Sequence, residues 1–199
     1  MSKRGAQSGN GGGKARRRKT GEGRLPGDPT REALIARMLR VDHAGEYGAR
    51  RIYEGQLAVL GRGPSAAAIR HMHDQEVRHL AAFEDMIAAR QVRPTALQPL
   101  WHLAGFALGA TTALMGEKAA MACTVAVEEV IDAHYSRQID ALGDDEATLK
   151  ARLEEFRAEE LEHRDIGLER GAKETPGYEV LSAAIKTGSR LAIWLSERV

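Results

Sequence analysis

Beyond residue 28, apolar side chains recur at intervals of three and four along almost the whole chain, and no stretch alternates with a period of two. That spacing predicts helices and argues against strands. Glycine and proline cut the pattern into lengths. Asp28–Pro29 offers an N-cap followed by a proline suited to the first helical position, so a first helix is expected from there to about Leu60, before Gly61-Arg62-Gly63-Pro64. A second is expected from Pro64 to about Val92, closed by Pro94, and a third from Pro99 to near Gly116. A fourth runs from Glu117 to about Leu142. Gly143-Asp144-Asp145 reads as a turn and cap before a fifth helix to about Gly171, and Pro176–Gly177 precedes a last one from Tyr178 to Arg198.

Composition sharpens this picture. A hydrophobic fraction of 43% excludes wholesale disorder, while 5% aromatics with abundant Ala, Leu, Glu and Arg favours helix. The single cysteine, Cys123, excludes an intrachain disulfide framework and any metal site built from cysteine alone; it fits a reducing compartment. The net charge of +1 hides an asymmetry: residues 1–24 hold eight Lys and Arg against Glu22 alone, so that segment is +7 and the rest is −6. Residues 1–27 are therefore expected to be a disordered basic tail, and residues 28–199 the folded domain. The tail reads either as an arm for an anionic surface or as a solubilising leader. No apolar run follows its charges, as a secretory signal would need.

Two short motifs carry the candidate chemistry. Glu76-Val77-Arg78-His79 falls in the second helix and Glu160-Leu161-Glu162-His163 in the fifth. Glu and His three apart project from one helix face and can offer a carboxylate oxygen and an imidazole nitrogen to one metal ion. One such pair occurs easily by chance; two on separate long helices mean more. Glu46 lies mid-way along the first helix between Gly45 and Gly48, residues that cost about 1 kcal/mol each relative to Ala. Such glycines fit a place where another helix or a ligand approaches closely. Glu128 ends the apolar run Ala122–Val127 in the fourth helix, although spacing alone does not separate it from Glu129. Burial there is costly for a carboxylate unless it is paired or metal-bound.

The spacing repeats. Glu46 and Glu76 are 30 residues apart, Glu128 and Glu160 are 32 apart, and each half of the chain is a helix with Glu followed by a helix with Glu-x-x-His. Packed as a bundle, two such pairs would turn Glu46, Glu76, His79, Glu128, Glu160 and His163 inward. That is the side-chain set of ferritin-like di-iron carboxylate proteins. Hard carboxylates with imidazole suit iron or manganese better than zinc. Among the other histidines, His71 and His73 read as surface residues. His43 reads as a partner of a carboxylate, or as a buried side chain satisfied by Asp42 or a backbone carbonyl, and His102 as a mark of an interface. Tyr135 stands seven residues beyond Glu128 on the same face, with His134 beside it.

Residues 94–116 contain no Asp, Glu, Lys or Arg, yet include two prolines, Gln98 and His102. This suits an interfacial helix with Trp101 at headgroup depth better than a membrane-spanning one. The last helix, with Leu181, Ile185, Leu191, Ile193, Trp194 and Leu195 between Lys186 and Arg190, has a similar stamp. The expected architecture is thus all-α: a ferritin-like four-helix bundle with two additional, membrane-facing hydrophobic helices, 94–116 and 178–198.

The stretch Arg40-Val41-Asp42-His43-Ala44-Gly45-Glu46-Tyr47-Gly48-Ala49 resembles the opening signature of the demethoxyubiquinone hydroxylases, di-iron monooxygenases of ubiquinone biosynthesis. Asp74-Gln75-Glu76 with His79, the run Met121 to Glu129, Glu159-Glu160-Leu161-Glu162-His163 with Asp165-Ile166-Gly167, and Leu195-Ser196-Glu197-Arg198 are similar as well. The resemblance implies that Glu46, Glu76, His79, Glu128, Glu160 and His163 hold two iron ions, with Glu76 and Glu160 bridging. It further implies hydroxylation of the ring of a polyprenylated demethoxyquinone by O2 with electrons from NADH, and a role for Tyr135, with His134, in electron transfer near the iron. A lipid-binding helper protein works with some members. The implied location is peripheral, on the cytoplasmic face of a bacterial cell membrane or the matrix face of the mitochondrial inner membrane. No nucleic-acid partner is expected, and a homo-oligomer is left open. Without a Gly-x-Gly-x-x-Gly fingerprint, no separate dinucleotide domain is expected. The rival reading is a ferritin-like iron-storage or peroxide-reducing protein.

Overall fold

The computed structural model describes residues 27–199, so the expected basic tail lies outside the described residues apart from Gly27. Six α-helices follow in order: α1 (Arg31–Leu60), α2 (Ala66–Ala89), α3 (Gln98–Leu114), α4 (Glu117–Ala141), α5 (Ala147–Glu169) and α6 (Tyr178–Ser196). Single 3-10 turns, Asp144–Glu146 and Ala172–Glu174, precede α5 and α6, and the described residues contain no strand. Residues Arg31–Val199 pack as one unit.

Two helix ends differ from expectation. The first helix starts at Arg31, so Pro29 is not its first helical residue, and α2 begins at Ala66 behind Ser65 rather than at Pro64. The end of α2 is set by backbone geometry rather than by Pro94. Gln91 adopts a left-handed φ of 53°, and the amides of Gln91 and Val92 bond back to the carbonyls of Ala88 and Ile87 at 3.2 and 2.8 Å. This is a Schellman closure with glutamine where glycine is usual.

Each bundle helix buries a stripe. On α1 it includes Ile35, Leu39, Asp42, Glu46, Ala49, Tyr53 and Gln56; on α5 it is Leu149, Leu153, Phe156, Glu160, His163 and Gly167. The candidate ligands thus occupy the same seam as the core leucines and phenylalanines. Around them lie two apolar clusters. Leu39, Phe83, Tyr135, Leu153 and Phe156 belong to one, and Tyr53, Ile69, Met72, Met121 and Val125 to the other. From Ala119 to Glu128, α4 is buried on every side, which places it at the centre of the molecule.

Small residues let the outer helices close in. A Cβ on Gly109 would run into the Ile52 carbonyl, and one on Gly105 would lie 2.8 Å from the Gly48 carbonyl, so the α3 backbone rests directly on α1. Likewise a Cβ on Gly167 would lie 2.8 Å from Val125 Cγ2, which fixes α5 against α4. Helix α6 lies along α4, where Ile185 joins Cys123, Ala126 and Val127, and the Trp101 indole N–H donates to Ser196 Oγ at 3.0 Å. Trp101 therefore faces α6. The exposed apolar residues of these two helices are Leu100, Leu103, Leu114, Val180, Leu191 and Trp194. Among the described residues no helix is long and apolar enough to cross a membrane.

Candidate metal centre

Six side chains from four helices converge in the middle of the bundle: Glu46 on α1, Glu76 and His79 on α2, Glu128 on α4, and Glu160 and His163 on α5. All are buried, none exposing more than 3% of its surface. They form two overlapping sets, Glu46, Glu76, His79, Glu160 and Glu76, Glu128, Glu160, His163, whose ligand atoms lie within 4.8 Å of one another in each set. Glu76 and Glu160 belong to both. His79 Nδ1 stands 3.2 Å from Glu46 Oε2 and 3.0 Å from Glu160 Oε1; His163 Nδ1 stands 3.1 Å from Glu160 Oε2 and 3.3 Å from Glu76 Oε1. Both imidazoles thus turn Nδ1 into the cluster. Glu128 faces inward, whereas Glu129 pairs with Lys186 at the surface.

Burial pushes the carboxyls of Glu76 and Glu128 well above the ordinary carboxylate range, and the charge of Glu160 adds to it. Burial acts on Glu160 in the same direction, but the imidazoles of His163 and His79 beside it draw its carboxyl down to about 2. Burial lowers the His79 imidazole, but Glu160 and Glu46 outweigh that and raise it to about 12; His163 is raised as well. Glu76 and Glu128 thus favour their protonated forms, while Glu160 stays ionised between the two imidazoles. Both oxygens of Glu76 and of Glu160, Glu128 Oε2 and His163 Nδ1 have no hydrogen-bond partner. Each unpartnered buried group costs about 1–3 kcal/mol. Divalent cations bound among them would satisfy all of these atoms, so the donor set fits a pair of hard metal ions.

The surrounding shell holds the candidate ligands in place. Tyr53 donates to Glu128 Oε1 at 2.8 Å, and the Tyr135 hydroxyl donates to Glu46 Oε1. Burial raises both phenols well above their ordinary value, so they remain donors. Behind the imidazoles the bundle is cross-braced. His79 Nε2 lies 2.8 Å from Glu159 Oε2 on α5, and His163 Nε2 lies 2.9 Å from Gln75 Oε1 on α2. His79 also stacks on Phe156, with ring centres 4.0 Å apart. Next to Tyr135, His134 Nε2 lies 2.9 Å from Gln138 Nε2 and 3.3 Å from Asp42 Oδ1, while Gln138 donates to Asp42 at 2.8 Å. Asp42 is therefore engaged with His134 rather than His43, whose Nδ1 is buried without a partner. His71 is exposed, His73 is partly covered, and His102 Nδ1 meets the Tyr47 hydroxyl at 2.7 Å.

Residues of α1, α3, α4 and α6 line an apolar cavity of about 380 Å³. Gly45, Gly48, Ile52, Trp101, Val127 and Ala192 are among its walls, and Gly45 and Val127 are chain neighbours of Glu46 and Glu128. A Cβ on Gly48 would meet nothing within 4 Å and one on Gly45 only Ile131 Cδ1 at 3.9 Å, so these glycines leave open space.

Residues 33–196 match the family model described as ubiquinone biosynthesis protein COQ7. The chain belongs to that family. It is 64% identical over 183 residues to a Rhodospirillum rubrum protein named 3-demethoxyubiquinol 3-hydroxylase, covering 92% of this chain and 86% of that one. It is 52% identical over 176 residues, 86% of this chain and 81% of the other, to the human NADPH-dependent 3-demethoxyubiquinone 3-hydroxylase, mitochondrial. Identity to the yeast 5-demethoxyubiquinone hydroxylase, mitochondrial, is 40% over 184 residues, 84% and 79% of the two chains. The human relative's name specifies NADPH where the resemblance in the sequence pointed to NADH.

Glu159, Gln75 and Tyr53 were not singled out from the sequence as parts of the site. One signal was available: Gln75 and Glu159 stand at the same position, one residue before each Glu-x-x-His.

Proposed function

We propose that this chain is a 3-demethoxyubiquinol (5-demethoxyubiquinone) hydroxylase with a ferritin-like di-iron site, acting on the ring of a polyprenylated quinone in ubiquinone biosynthesis. The observation that carries the reading is the pair of overlapping, buried ligand sets, together with an apolar cavity walled in part by the chain neighbours of Glu46 and Glu128. The names of the relatives support the substrate class. Glu46 and His79 would hold one ion, Glu128 and His163 the other, and Glu76 and Glu160 would be shared. Two irons supply the one-electron chemistry that O2 needs before it reacts with a closed-shell ring.

The protein's own part follows from its side chains. Tyr53 and Tyr135 orient the terminal carboxylates Glu128 and Glu46 and hold a proton at each. The cavity walls exclude water and accept a ring with the start of its isoprenoid tail. One oxygen atom of O2 enters a ring C–H bond; the other leaves as water, with two electrons and one proton from a reduced nicotinamide nucleotide and a second proton from the medium. Tyr135 donates to Glu46, and His134, its chain neighbour, joins Asp42 and Gln138; we assign this group the delivery of electrons or protons. The exposed apolar residues of α3 and α6 seat the cavity against a membrane, where such a substrate resides.

The test is iron per chain together with conversion of a short-tailed demethoxyquinone, run in detergent with NADH and with NADPH. About two irons and a hydroxylated product with either nucleotide is the expected result. Two irons with oxidation of excess ferrous ion but no ring product would favour storage instead. Absence of iron after anaerobic reconstitution would sink the di-iron reading.

A further inference from the structure

The two halves of the centre match closely in their ligands. Each has a Glu-x-x-His, a terminal glutamate and a tyrosine donating to that glutamate. They do not match in what stands behind the imidazoles. His79 Nε2 meets the carboxylate of Glu159 at 2.8 Å, and His163 Nε2 meets the neutral amide oxygen of Gln75 at 2.9 Å. With Nε2–H given to an oxygen in both cases, each Nδ1 keeps its lone pair for a metal ion. A charged acceptor forms the stronger bond and draws the shared proton further, which leaves more electron density on the ring.

Neighbouring charges modulate this difference without erasing it. Arg78 lies 3.1 Å from Glu159 and offsets part of its charge at the rim, while Glu159 remains in direct contact with the imidazole. Gln75 Nε2 points towards Glu162 Oε2 at 3.5 Å, and His71 Nε2 lies 3.3 Å from the other Glu162 oxygen. The negative charge behind His163 is therefore one amide group further away.

Resting on the di-iron reading above, we propose that Glu159 and Gln75 make the two metal positions inequivalent, the position beside His79 being the more electron-rich and the first to fill. Both are positioning residues: they act through the imidazoles and touch no substrate. Their placement is a consequence of the internal repeat. Each sits one residue before a Glu-x-x-His on its own helix and braces the histidine of the opposite helix.

The experiment uses the full chain and ferrous ion alone, titrated without oxygen against a competing chelator, with Mössbauer spectra of 57Fe-loaded samples. The native protein should show two separable binding constants and two quadrupole doublets. Glu159→Gln should weaken the first ion about 10–100-fold and leave the second nearly unchanged. Gln75→Glu should instead tighten the second, and in both variants the doublets should draw together. Equal loss of both ions in Glu159→Gln would indicate general loosening and overturn the proposal, as would unchanged constants and spectra in both variants. If Glu159→Gln does not fold, Gln75→Glu decides by itself: tightening of the second ion supports the proposal, and no change overturns it. Failure of the native protein to bind iron would overturn the di-iron reading and this proposal together, whereas two equivalent irons would overturn this one alone.

Discussion

At the scale of single residues, one step along a helix decides whether a glutamate joins the buried cluster or an exposed ion pair. Glu128 is 2% exposed and shares its environment with His163 and Tyr53, whereas Glu129 pairs with Lys186 in solvent. Glu128→Ala should cost at least half of the bound iron, measured by metal analysis of the purified protein. Glu129→Ala should keep all of it, because an exposed ion pair contributes only about 0–1 kcal/mol. Spacing left this choice open, since both residues follow the same apolar run, and the family resemblance pointed to Glu128. The sequence named the two Glu-x-x-His pairs because their spacing is local to one helix. It passed over Glu159 and Gln75 because their partners lie across the bundle, and no periodicity within a helix encodes such a contact. Cys123 yields a different residue-level expectation. Burial pushes its thiol up to about 12. Iodoacetamide at pH 8 should leave the folded protein unlabelled and label it once after unfolding, read by mass spectrometry; labelling of the folded chain would mean that α4 opens readily.

At the scale of elements, proline and glycine punctuation made all six helices legible, while their ends depended on capping geometry. A reader of sequence looks for glycine at the close of α2, but Gln91 supplies the left-handed turn. Close packing of α3 on α1 was likewise hidden. The glycines of α1 suggested a close approach of a helix or a ligand; the α3 residues that come close are Gly105, against the Gly48 carbonyl, and Gly109, with Gly55 also in tight contact, while Gly45 and Gly48 also line the cavity. Gly109→Ala should therefore destabilise the protein by about 1–3 kcal/mol in urea unfolding, because the new methyl meets the Ile52 backbone. Gly188→Ala, on α6 with nothing within 4 Å of its Cβ, should be neutral or gain up to about 1 kcal/mol from helix propensity. Equal losses in the two variants would contradict this account of the α1–α3 contact.

For the whole molecule, the arrangement of apolar surface decides how a greasy substrate would arrive. Leu103 on α3 is 69% exposed and Leu191 on α6 is 55% exposed. If this face seats on lipid, Leu103→Asp with Leu191→Asp should weaken co-sedimentation with phospholipid vesicles at least about tenfold, since burying one leucine is worth about 1.5–3 kcal/mol. Iron content should stay unchanged, which separates lost docking from lost folding. The charge-free stretch was visible in the sequence. Which of its faces is covered was not: Trp101 gives its indole N–H to Ser196, and Trp194 is the exposed indole.

The division of the candidate ligands between the two halves of the chain has a further consequence. One set takes Glu46, Glu76 and His79 from α1 and α2 but borrows Glu160; the other takes Glu128, Glu160 and His163 from α4 and α5 but borrows Glu76. Neither hairpin owns a complete site. A polypeptide severed between α2 and α4 would yield two fragments that each lack one donor for their own ion, and each carries the donor the other lacks. Occupancy by metal would then record the reunion of the fragments, and in the intact chain it would record the moment in folding when the second hairpin docks on the first.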